Sequence, residues 1–230
     1  MTNSELIQDL DFDEMLYKLS KEEPLTQMEV KGLEDFITSS VKGPKEKRSL
    51  EDLYAALKVV SSSNLQHLSY LAAMCLDVPD PILVCLALET LAIQWGFGTE
   101  YEERLIQFAL GVPCDYEGDI KECALRCIGV LLSDQQDQGR KRKNNSYTQT
   151  EERLLCLLIQ IIEDKKEDEF VKSAALEALK NINLEGNKTG TNESNEVWYD
   201  TNVIQNIKSQ LSVSSLLDSE ESELPGTGMR

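Results

Sequence analysis

The chain has 230 residues, 41% of them hydrophobic, and its 41 Asp and Glu against 23 Lys and Arg give a formal charge of −18. That balance argues against sequence-independent binding of nucleic acid, whose affinity comes mostly from Lys and Arg displacing phosphate counterions. No stretch reaches the ~18 consecutive apolar residues of a membrane span. Met1-Thr2-Asn3-Ser4-Glu5 lacks the basic-then-apolar character of a secretory signal, so a soluble, cytoplasmic protein with no membrane partner is expected.

Every candidate element is a helix. The prolines, Pro24, Pro44, Pro79, Pro81, Pro113 and Pro225, all fall between apolar-periodic stretches, where a missing N–H costs little. A first helix is expected from Ser4 to about Lys21. Thr26 and Glu29 have the spacing of a capping box and lead a run in which Val30, Leu33, Phe36, Ile37 and Val41 follow the helical period. Ser49 opens the next, with Leu50, Leu53, Ala56, Leu57 and Val60 on one stripe. Asn64 is a candidate cap for Leu65, Leu68, Leu71, Ala72 and Cys75, and Asp77 to Pro81 breaks that helix. After Trp95, Gly96 is placed to supply a C-terminal cap, with Trp95 and Phe97 expected to pack within the structure.

From there the chain repeats itself. Ala87-Leu88-Glu89-Thr90-Leu91 aligns with Ala124-Leu125-Arg126-Cys127-Ile128 and with Ala175-Leu176-Glu177-Ala178-Leu179, at spacings of 37 and 51 residues. A polar insertion at 135–147 accounts for 13 residues of the longer interval. Four residues before each alanine stands an apolar side chain, Leu83, Ile120 or Val171, which continues the buried stripe. Seven before stands an acid, Asp80, Glu117 or Asp168, which complements the positive end of the helix dipole. The preceding helices correspond as well, Glu102-Glu103-Arg104-Leu105 with Glu151-Glu152-Arg153-Leu154.

A two-helix unit of this length resembles the HEAT/armadillo class of helical repeats, clearly over 65–183 and weakly over 26–62. Asp80-Pro81, the Ala-Leu pairs and Asp168 through Leu179 carry the resemblance. The basic residue usual early in the second helix is present as Lys121 and Lys172 but replaced by Val84. The resemblance implies an all-α fold of antiparallel helix hairpins stacked into a short right-handed α-solenoid, each hairpin burying its apolar face against its neighbours. One helical-repeat domain is then expected over 1–183, followed by a polar loop and capping helix over 184–217 and a solvated tail over 218–230.

Few residues invite catalysis or metal binding. Of the cysteines, Cys75, Cys85, Cys114, Cys123, Cys127 and Cys156, most lie in apolar helical runs and read as buried free thiols. Cys123 and Cys127 are one helical turn apart, yet no CxxC or nearby histidine completes a metal set. His67, the single histidine, lacks the nucleophile and orienting acid of a general base and is expected to be partly exposed. No metal, cofactor or catalytic residue is expected. For a lyase or alkyl-base glycosylase built on such repeats, Cys127, Glu89 and Tyr116 are the nearest approach to a catalytic set, and a glycosylase groove must be basic.

The acid is concentrated. Residues 1–40 carry 3 basic against 10 acidic side chains and residues 65–134 carry 3 against 11, whereas 135–150, with Arg140-Lys141-Arg142-Lys143, stands at +3. In stacked hairpins the second helices line the concave face. Their non-core positions include Glu89, Glu122, Arg126, Lys172 and Glu177, joined by Asp115, Tyr116, Glu117 and Asp119 in the adjoining turn and by Tyr101. Such a carboxylate surface with aromatic anchors suits a basic protein partner. The expected function is therefore a non-enzymatic binding module that neutralises such a partner, similar in fold and charge to the immunity proteins bacteria pair with toxins. A scaffold or adaptor subunit is the alternative, with a HEAT-like lyase after it.

Overall fold

The computed structural model describes residues 10–44, 49–63, 65–137, 148–180, 204–205, 207–209 and 211, with side chains described through 133 in the third span. Among them every regular element is helical and none is a strand. The caps explain where the helices begin. Asp11 accepts from the Glu14 N–H at 2.9 Å and opens α1 (Phe12–Ser20). Thr26 opens α2 (Gln27–Lys42) through a reciprocal box, its N–H donating to Glu29 at 2.7 Å and its hydroxyl accepting from the Glu29 N–H at 3.3 Å. Ser49 accepts from the Asp52 N–H at 3.2 Å and opens α3 (Leu50–Ser62).

A short 3₁₀ turn, Gln66–Leu68, leads into α4 (Ser69–Cys75), and His67 on that turn is exposed. Asp80 accepts from the Leu83 N–H at 2.9 Å and Pro81 fills the first position of α5 (Pro81–Leu88). The helix then widens into a π-helical stretch, Glu89–Gln94. Within it the Thr90 hydroxyl donates to the Leu86 carbonyl at 2.7 Å, the acceptor that an α-helical Thr90 N–H would use. The Trp95 N–H reaches Thr90 O, five residues back, at 3.1 Å. Gly96, at φ +71°, ends the stretch as its position predicts. Trp95 is buried and meets Phe97 edge to face at 6.3 Å, while its indole N–H finds no acceptor among the described residues.

Next come α6 (Glu102–Leu110), closed by Gly111 at φ +105°, and α7 (Asp119–Asp137). A second capping box, Thr148 with Glu151, opens α8 (Gln149–Glu163), and the exposed acidic turn expected after it separates α8 from α9 (Glu169–Lys180).

Two units divide the chain, Met1–Leu131 and Leu132–Arg230. In the first, α3 is the hub and packs against α1, α2, α4 and α5, with Leu53, Ala56, Leu57 and Val60 fully buried. Each such leucine contributes ~1.5–3 kcal/mol of transfer free energy. In the second, α8 packs against α9 around Leu154, Leu155, Leu158 and Ala175, and Ile204 and Ile207 are also buried. No described helix is long and apolar enough to cross a membrane. Asn64, the polar loop after 183 and the tail from 218 lie outside the described residues, as does the basic tetrapeptide Arg140 to Lys143.

Candidate protein-binding surface

Eight of the nine residues expected to meet a partner lie in the first unit, and the structure gives them different tasks. Asp115 is a cap. Its two carboxylate oxygens accept from the Ile120 N–H at 3.0 Å and the Lys121 N–H at 2.9 Å, which fixes the start of α7 from four residues upstream of it. Glu89 opens the π-helical stretch, and Arg126 of α7 donates to it in a close ion pair. Glu122, one turn earlier on α7, approaches the same guanidinium at 3.9 Å. These three groups are therefore brought together, and both carboxylates already face a cation of this chain. Partial exposure keeps such pairs to about 0–1 kcal/mol each.

Tyr116, Glu117 and Asp119 are the outward-facing members. Tyr116 is 91% exposed in the turn before α7, and Glu117 and Asp119 are exposed on either side of Gly118. Tyr101 stands at the entrance to α6, half-buried, where burial first and the Glu100 carboxylate second raise its phenol above the ordinary tyrosine range. Glu177 is exposed on α9, in the second unit. Lys172, expected on the surface with it, is only 7% exposed: its stem lies in the core while its ammonium reaches Glu169 at 2.9 Å.

Sequence reasoning missed one feature of this region. Pro81-Ile82-Leu83-Val84-Cys85-Leu86-Ala87-Leu88, the whole of α5, contains no polar side chain. A helix apolar on every side is ordinarily buried all round. Here Leu83, Val84, Ala87 and Leu88 are buried, whereas Ile82 is 67% exposed and Cys85 and Leu86 are half-buried. The signal was available as an apolar run too wide for a single stripe.

Cys85 also ties this face to α7. Its thiol donates to the Asp119 carbonyl at 3.6 Å, and the Cys123 thiol donates to the Cys85 carbonyl at 3.6 Å. The Cys123 sulfur beside it and, after that, burial raise the Cys85 thiol far above its ordinary range. Contact with Cys127 does the same for Cys123. The Cys85 and Cys123 thiols are thus neighbours, and both are held protonated. No group of three or more His, Cys, Asp or Glu among the described residues has the geometry to hold a metal ion.

Two clefts lie elsewhere. One of about 480 Å³ is lined by Asp11, Asp13, Glu51 and Asp52 at the N-termini of α1 and α3, where the carboxylates complement the helix dipoles. Another of about 650 Å³ in the second unit is lined by Cys156, Ile159, Glu163 and Lys208, with Lys208 and Glu163 in a close ion pair. Neither contains a residue expected to bind the partner. No protein-family model matches the chain, and no curated protein or solved structure is significantly similar to it.

Proposed function

We propose that this chain is a non-enzymatic protein-binding module whose acidic, helix-built surface docks a basic protein and neutralises it, as an immunity protein does its toxin. The observation that carries the reading is the start of α7, where an almost fully exposed tyrosine is followed by the exposed carboxylates of Glu117 and Asp119 on a backbone pinned by Asp115. Rigid presentation keeps the entropy cost of binding low, and carboxylates in excess steer a cationic surface toward it. HEAT-like pairing of helices within each unit belongs to the same reading and is supported by the 37-residue spacing from Ala87 to Ala124. A scaffold or adaptor subunit would use the same contact but leave its partner active. Lyase chemistry is disfavoured by the placement of its candidates, with Cys127 fully buried and Tyr116 exposed.

The test is affinity capture from the native host with the intact chain, release by stepped salt, and assay of the captured protein's activity with and without the chain. A basic partner released by salt, and released earlier from Glu117→Gln and Asp119→Asn variants, supports the proposal, and loss of its activity on binding identifies neutralisation. An acidic partner, or one held regardless of ionic strength, overturns it.

A further inference from the structure

Resting on that reading, we infer that the uncovered side of α5 is an apolar seat for a basic amphipathic helix, gripping its hydrophobic side chains while nearby carboxylates hold its arginines. Ile82 and Leu86 lie one helical turn apart and so stand on the same side of α5, with Cys85 beside them. The Cys85 thiol contacts the Asp119 backbone, so this side of α5 borders the start of α7, where Asp119 is exposed. Asp80 stands at the other end of the strip as the α5 cap, and Glu89 begins the next turn. An apolar strip with acid at both ends and along one edge has the pattern of a groove that receives an amphipathic helix.

Charge selects the occupant. A second copy would bring a formal −18 against −18, and like-charged faces repel. A neutral apolar segment would use the strip but make no ion pair with the exposed Asp119 at its edge. Arginine satisfies that carboxylate best, since its planar guanidinium pairs with carboxylates in a bidentate manner and stacks on an exposed ring such as Tyr116. The seat accordingly requires both properties in one ligand, leucine-type side chains on one face and arginine on the other.

The experiment titrates the full chain, by calorimetry at low salt, with three synthetic peptides of about 18 residues, or five helical turns. The first is an amphipathic helix of leucine and arginine. The second has the same composition in scrambled order, and the third replaces leucine by serine at equal charge. The amphipathic peptide is expected to bind about tenfold more tightly than either control, and Ile82→Ser should abolish that advantage. Ile82 is largely exposed, so its replacement leaves the melting temperature unchanged, and Phe170→Ser on the second unit should leave binding unchanged. Equal binding of all three peptides, with no effect of Ile82→Ser, overturns the seat and leaves the charge-based docking role standing. Failure of every peptide to bind at low salt overturns both. A dimer in sedimentation that Ile82→Ser dissociates would assign this side to a second copy and overturn the seat as well.

Discussion

Arg126 of α7 reaches Glu89 at the head of the π-helical stretch, a partner 37 residues earlier in the chain, and so occupies with its own cation a carboxylate that would otherwise be open to a ligand. Removing the guanidinium by Arg126→Ala should cost less than about 1 kcal/mol of stability, because the pair is substantially exposed. It should also free Glu89 and Glu122 and strengthen binding of the arginine-bearing peptide several-fold. Calorimetry at low salt reads the second effect and thermal melting the first. Weaker binding by the variant would show that Arg126 itself contacts the ligand.

The Thr26 and Glu29 box joins α1 to α2, because Lys18 of α1 donates to Glu29 at 2.7 Å. Thr26→Ala should cost about 1 kcal/mol in urea unfolding. The Lys18 hydrogen bond, followed by the Thr26 backbone N–H, holds the Glu29 carboxyl below the ordinary glutamate range. A lowered folded value gives stability that is present above the unfolded value and disappears as pH falls through the folded one. Acid unfolding of Glu29→Gln should therefore show less pH dependence below the glutamate range than the parent.

Tyr70 of α4 donates to Glu34 of α2 in a close hydrogen bond. Burial, then that carboxylate, push its phenol up to about 12. A raised folded value means stability fully present below the ordinary tyrosine range and lost as pH rises from there through the folded value. In alkaline absorbance titration one phenol should ionise near 12 and vanish in Tyr70→Phe, whose loss of alkaline stability should be correspondingly smaller.

The thiols divide by exposure. Cys156 is exposed, Cys85 and Cys114 are intermediate, and Cys75, Cys123 and Cys127 are buried. Because the thiolate is the reactive form, raised values at Cys85 and Cys123 compound the effect of burial. Timed alkylation read by peptide mass spectrometry should label Cys156 before Cys85, and Cys123 and Cys127 only as the fold opens. Early labelling of Cys123 would contradict the packing of α5 against α7.

Helix starts were the most legible part of this chain. Thr26 and Ser49 cap as their positions predict because capping is local, requiring only an acceptor and the N–H two or three residues on. Asp80, expected only to complement the dipole, is itself a cap, and α1 opens at Asp11 inside the run expected to be helical from Ser4. Thr148 and Glu151 repeat the Thr26 and Glu29 spacing and were readable by the same rule. The π-helical stretch was not, since a shift from i−4 to i−5 bonding leaves no mark in the hydrophobic period over six residues. Charge type also misled. It placed Asp115 and Lys172 on a binding surface, whereas Asp115 caps α7 and the Lys172 stem packs in the core. Surface position is set by tertiary packing, and a long basic side chain satisfies both the core and water.

Trp95, enclosed beside Phe97 with no acceptor for its indole nitrogen among the described residues, makes the first unit optically self-reporting. Trp198 is the other tryptophan of the chain. In a Trp198→Phe protein all indole fluorescence comes from position 95, its emission blue while the ring is shielded and moving red as water reaches it. Unfolding of the unit that carries the α5 strip can then be followed without an attached dye.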